Sequence, residues 1–147
     1  MKTKLFTLIA MTSLVTLPAC SKAETPKAAA PTQATAAVQA LKVTHVDARQ
    51  ASALIDAQPS LIVLDVRTPG EFTSGHIDGA MNIDFKNSNF STQLSALDKD
   101  QTYLIHCRSG GRSTASLKAF KKLGFKHIIH MDGGINGWNK AKLPTVK

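Results

Sequence analysis

The sequence predicts an α/β protein built on a mostly parallel sheet with helices on both faces. Three observations lead there. From about Leu41 onward, short apolar runs alternate with stretches of helical periodicity, the pattern of strand–helix–strand units. Leu61 to Val66 is continuously apolar with a single acid near its end, as a strand buried on both faces requires. Cys107 closes another apolar run just before a glycine-containing turn and a helix, beyond the carboxyl end of a strand, where such sheets bind ligands.

Residues 1–40 stand apart from this pattern. Lys2 and Lys4 form a basic tip, and the apolar run from Leu5 to Leu17 is shorter than the roughly 20 residues that span a bilayer. The two together read as a signal peptide over residues 1–19. Leu17-Pro18-Ala19-Cys20 resembles a bacterial lipobox, which makes Cys20 the expected point of lipidation, although Pro18 departs from the pattern. Cleavage after Ala23 is the competing outcome. Residues 20–40 are rich in Ala, Thr and Pro with few large apolar side chains, so they are expected to be a disordered linker. An exported, periplasmic protein follows, with the membrane met only through a lipid anchor. Ser21 after the cysteine favours the outer membrane, by resemblance to enterobacterial lipoproteins.

The folding part is expected over 41–147, and its elements follow in order. Lys42 to Val46 is a short strand, and Asp47 then caps a helix whose Ala48, Ala51, Leu54 and Ile55 share one face before Pro59 ends it. Leu61 to Val66 is the doubly buried strand. Pro69 starts a short helical turn, Ala80 to Ile83 is a brief strand, and Phe90 to Leu97 is helical. Tyr103 to His106 is the next strand. Ser113 to Leu123 is an amphipathic helix with Ala115, Ala119, Phe120 and Leu123 inward and Lys118, Lys121 and Lys122 outward. Gly124 ends it, Lys126 to Met131 is the last strand, and a helix from about Asn136 closes the chain.

The chemistry concentrates in Cys107-Arg108-Ser109-Gly110-Gly111-Arg112-Ser113, between a strand and a helix. The two glycines admit backbone conformations that other residues resist. Successive amide N–H groups can then converge as an anion nest, reinforced by the positive end of the following helix and by two arginines. Such surroundings favour thiolate, the nucleophilic form of cysteine. A buried cysteine at a strand end is commonly an inert packing residue, but the arginines and glycines beside this one argue for a reactive thiol. A disulfide to Cys20 would only tie a tether to the core, so Cys107 is read as a lone free thiol.

The loop resembles the active-site loop of the rhodanese family, and the resemblance extends from about Val43 to Val146. Leu64-Asp65-Val66-Arg67, Glu71-Phe72 and Gly75-His76-Ile77-Asp78-Gly79-Ala80 are similar to the family's upstream motif, continued by Asn82 and Ile83. Gly133-Gly134 and Trp138 fit its closing motif. The resemblance implies a five-stranded sheet and a sulfurtransferase. Cys107 would take a sulfane sulfur from a small donor such as thiosulfate and pass it to cyanide or a thiol. The amides of Arg108 to Ser113 would cradle the sulfur, Arg108 would meet substrate, and Arg112 would brace the loop against Glu71. Asp65, Arg67 and His76 would be structural, and no cofactor or metal is implied.

Two rivals remain at this stage. A phosphatase or arsenate reductase of related fold has one more residue between Cys and Arg than the four between Cys107 and Arg112, and the smaller loop suits a single sulfur atom. A non-catalytic module, or a persulfide relay to a protein thiol, is the other; the intact Cys107 loop argues against an inert role. The charge of +8 raises nucleic acid as a partner, but the lysines are scattered or lie on one helix face, and only one Tyr and one Trp are present for stacking. Nucleic acid is therefore not expected. His45, His127 and His130 show no metal-ligand spacing along the chain. Lys86 to Ser91 are a candidate wall of the substrate pocket.

Overall fold

A computed structural model describes residues 40–147. The signal segment, Cys20 and all but the last residue of the linker lie outside the described residues.

Five strands form one sheet: β1 (Lys42–Val46), β2 (Ile62–Asp65), β3 (Met81–Asn82), β4 (Thr102–His106) and β5 (His127–Met131). They lie in the order β1-β5-β4-β2-β3, and every pair is parallel. The helices are α1 (Ala48–Ala57), α2 (Pro69–Thr73), α3 (Phe90–Ser95), α4 (Gly111–Lys122) and α5 (Gly134–Lys140).

Alternation along the central strands divides the core into two layers. Leu64, Tyr103, Ile105 and Ile128 meet Phe90 and Leu94 of α3 and Phe120 of α4 on one face. Val63, Leu104 and Met131 meet Ala48 and Ala51 of α1 and Ile135 and Trp138 of α5 on the other. Both faces of β4 are covered, which is why Tyr103, Leu104, Ile105 and His106 are all buried. Phe120, Phe125 and Tyr103 are among the largest wholly buried side chains, and Phe125 meets each of the other two rings edge to face.

Local chemistry sets the helix starts. Asp47 accepts from the Gln50 amide at 2.9 Å, and the Gln50 side chain accepts from the Asp47 amide at 2.9 Å. Thr68 and Glu71 form the same reciprocal cap on α2, with Pro69 in the first turn where its missing N–H is harmless. The C-terminal segment makes an isolated antiparallel bridge outside the sheet, where His76 and Val146 exchange two backbone hydrogen bonds of 2.9 Å.

Three expectations need correction. The strand expected over Ala80–Ile83 is only Met81–Asn82, because the Ala80 amide turns back to the Ile77 carbonyl at 3.1 Å. The helix expected from Ser113 starts at Gly111, so Arg112 and Ser113 belong to its first turn. Ala115 faces solvent, and the inward stripe of α4 begins with Ser113 and Ser116, both wholly buried. Buried serines break the apolar periodicity but satisfy their hydroxyls locally: Ser116 Oγ donates to the Ser113 carbonyl at 2.7 Å.

Candidate active site

Cys107 lies directly after β4, between β2 and β5 at the carboxyl ends of the strands, and is 1% exposed. Its carbonyl and that of Arg108 accept from the first amides of α5, Ile135 N at 2.9 Å and Asn136 N at 3.0 Å. That contact requires Gly134, where a Cβ would stand 2.3 Å from the Cys107 carbonyl oxygen at a φ of +55°.

The chain then turns at Gly110, whose φ of 104° lies in the left-handed region, and enters α4. The turn aims the unpaired amides of the helix start back at the sulfur. Gly110 N donates to Cys107 Sγ at 3.2 Å, and Ser113 Oγ stands 3.6 Å from it. Burial pushes the thiol pKa up; the amide and hydroxyl of Ser113 and the amides of Ser109 and Gly110 outweigh it, leaving the pKa below the ordinary value. Gly111 plays a lesser part than expected, since it lacks a left-handed φ and a Cβ there would meet nothing within 4 Å.

The two loop arginines have separate surroundings. Arg112 forks onto Glu71, Nη1 to Oε2 at 2.6 Å and Nη2 to Oε1 at 2.7 Å, tying α4 to α2. That hydrogen-bonded pairing is the main cause that holds the Glu71 carboxyl down at about 2. Arg108 and Ser109 are exposed. Beside them lies a cleft of about 250 Å³ lined by Arg67, Glu71, Ser74, Arg108, Asn136 and Asn139 among others. Its walls come from the loop, α2 and α5 rather than from Lys86 to Ser91.

Behind the loop, Asp65 accepts from the Arg67 amide at 2.9 Å and from Arg67 Nε at 2.8 Å, a buried pair that fixes the end of β2. Arg67 Nη2 also donates to the Gly75 carbonyl at 2.8 Å, and Asn82 Nδ2 donates to the carbonyls of Asp65 and Arg67 at 2.9 Å each. His76 stacks on Phe72 at 3.8 Å and its Nδ1 lies 3.1 Å from the Phe72 carbonyl, a packing position. His106 is wholly buried in β4, and burial holds its pKa below the usual histidine value.

Sequence reading missed one neighbour of the site. His130 of β5 brings Nε2 to 2.9 Å from Ser113 Oγ and 3.2 Å from Thr114 Oγ1. No local motif marks it, because the contact joins β5 to α4. Ser113 Oγ is also 2.9 Å from the Gly110 carbonyl, so its one proton has three candidate acceptors, Gly110 O, His130 Nε2 and Cys107 Sγ.

A parallel sheet that delivers a lone cysteine into the amides of a helix start defines a class of proteins that can hold an anionic sulfur at one atom. The chain belongs to the rhodanese-like domain family, whose model matches residues 31–141. It is 37% identical over 110 residues to the probable adenylyltransferase/sulfurtransferase MoeZ of Mycobacterium tuberculosis, covering 75% of this chain but only 28% of that one. The chloroplastic thiosulfate sulfurtransferase 16 of Arabidopsis thaliana is 36% identical over 56% of this chain and 77% of its own. A crystal structure of a rhodanese-related protein from Thermoplasma volcanium superposes with a TM-score of 0.60 at 30% identity, over 70% of this chain and 97% of that one.

Proposed function

We propose that the protein is a sulfurtransferase whose Cys107 carries sulfur as a persulfide. The observation that carries this reading is the Cys107 cradle: Sγ receives the Gly110 amide at 3.2 Å, faces the start of α4 and has a lowered pKa. With thiosulfate as donor, the thiolate attacks the sulfane sulfur. A Cys–S–S⁻ bond forms, the donor's S–S bond breaks, and sulfite leaves with the electron pair. Cyanide or a thiolate then attacks the outer sulfur and releases the Cys107 thiolate. The cradle favours each anionic sulfur species in turn. Arg112 holds the loop through Glu71, and exposed Arg108 meets the incoming anion.

Intact mass after thiosulfate treatment tests it. The full chain is expected to gain one sulfur that cyanide removes, and the Cys107→Ser variant to gain none; no gain with any of several sulfane donors would overturn the proposal. A protein-thiol acceptor is the second reading, favoured by the exposed arginine and open cleft beside the loop. Slow transfer to cyanide beside fast transfer to one protein thiol would distinguish it. For location we propose export and lipidation at Cys20, on the basic tip, apolar run and lipobox-like segment. Labelling with radioactive palmitate that disappears in Cys20→Ala is the expected result.

A further inference from the structure

Ser113 is shared between Cys107 and a second cluster on its other side. β1 and β5 pair in parallel with His45 opposite His130, and β5 runs on to Asp132. Asp132 Oδ1 consequently lies 3.0 Å from His45 Nδ1 and 2.8 Å from His130 Nδ1. One ligand atom from each of the three falls within 4.8 Å of the others. The His130 side chain is 2% exposed, whereas His45 and Asp132 are 54% and 56% exposed, so the point of convergence is rigid on one side and open to solvent on the other.

We propose that His45, His130 and Asp132 bind a divalent cation of the zinc class at a site distinct from Cys107. Two imidazole nitrogens and one carboxylate suit zinc or cobalt(II) better than the all-oxygen surroundings that calcium and magnesium prefer. Three protein ligands leave a fourth, solvent-facing position open. The ligand atoms must separate to roughly 3.3 Å for tetrahedral bonds of about 2.0–2.1 Å, and the two exposed side chains are free to make that adjustment.

The support behind His130 sets this trio apart from a carboxylate that merely bridges two histidines. A metal-bound imidazole needs its other nitrogen protonated and held. The Nε2 of His130 faces the hydroxyl oxygens of Ser113 and Thr114 at 2.9 and 3.2 Å, and both can accept from an N–H. With Nδ1 on the cation and the proton on Nε2, His130 becomes a donor to Ser113. The single Ser113 proton then turns to the Gly110 carbonyl or to Cys107 Sγ, which links occupancy of the cation site to the thiol.

Cobalt(II) titrated into the tag-free full chain tests the proposal. One equivalent is expected to bind, with visible d–d absorption, no thiolate-to-cobalt charge-transfer band, and displacement by zinc. Cys107→Ser should still bind one equivalent, and His45→Ala and Asp132→Asn should each weaken binding on the order of tenfold or more. Both replaced side chains are exposed, and circular dichroism would verify that the variants fold. Absence of cobalt and zinc binding by calorimetry, unchanged affinity in both surface variants, or loss of binding in Cys107→Ser would each overturn it, the last by placing the ion on the thiol.

Discussion

At Cys107, burial and hydrogen bonding act in opposite directions on one thiol. A cysteine at 1% exposure without donors would titrate above the usual range. Here the Ser113 hydroxyl and three amides reverse the sign. The normalised rate of Cys107 alkylation by iodoacetamide should therefore reach half-maximum at a lower pH than a free cysteine's, about 8.5. Ser113→Ala removes one donor and should move that midpoint upward. A midpoint at or above the free-thiol value would show that burial dominates. The sequence already suggested the loop and its thiol from the residues around them, and an Arg112 partner at Glu71 from the family resemblance. The contact of His130 with Ser113 was not legible, since it links residues on separate elements with no local pattern.

At the scale of elements, the site is made by two helix starts meeting at one strand end. α4 turns its first amides toward the sulfur, and α5 gives its first amides to the carbonyls of Cys107 and Arg108. The glycines at these starts are not equivalent. Gly134→Ala places a Cβ 2.3 Å from the Cys107 carbonyl at a left-handed φ, so α5 or the loop must move. We expect a loss of about 3 kcal/mol or more in urea unfolding, with persulfide loading impaired as well. Gly111→Ala meets nothing within 4 Å and should be neutral or stabilising by about 0.4–1 kcal/mol. Equal effects of the two substitutions would contradict the close approach. The sequence marks all of these glycines alike; which one touches another backbone depends on where α5 lands.

For the whole molecule, two groups make stability decline with acid, one setting in below about pH 6.5 and the other below 4.5. His106 is buried with a pKa below 6.5, so below that pH the unfolded chain takes up a proton that the native state refuses. Stability therefore falls as pH drops from about 6.5 toward the native value. Glu71 is lowered from 4.5 to about 2; its contribution is complete above 4.5 and disappears as pH falls to 2. Urea midpoints measured across pH should show both declines. His106→Leu should flatten the upper one, its cost at neutral pH being limited to the 3.3 Å contact of Nδ1 with the Cys107 carbonyl, since Nε2 has no hydrogen-bond partner. Glu71→Gln should flatten only the lower one. An upper decline as steep in His106→Leu as in the parent would rule out His106 as its source.

The sequence by itself determined the α/β class, the five strands and the cysteine loop at a strand end. These follow from local quantities: apolar period, capping residues, glycine, and the order of residues around one thiol. Boundaries shifted at Ala80 and Gly111, where a local hydrogen bond closed a turn, Ala80 N to the Ile77 carbonyl, or opened the helix early, Thr114 N to the Gly110 carbonyl. Only the tertiary structure decided which glycine touches the Cys107 backbone, and that His45, His130 and Asp132 converge. The physical reason is strand order. β5 lies between β1 and β4, so side chains distant in sequence become neighbours across parallel registers, and no spacing along the chain encodes that distance.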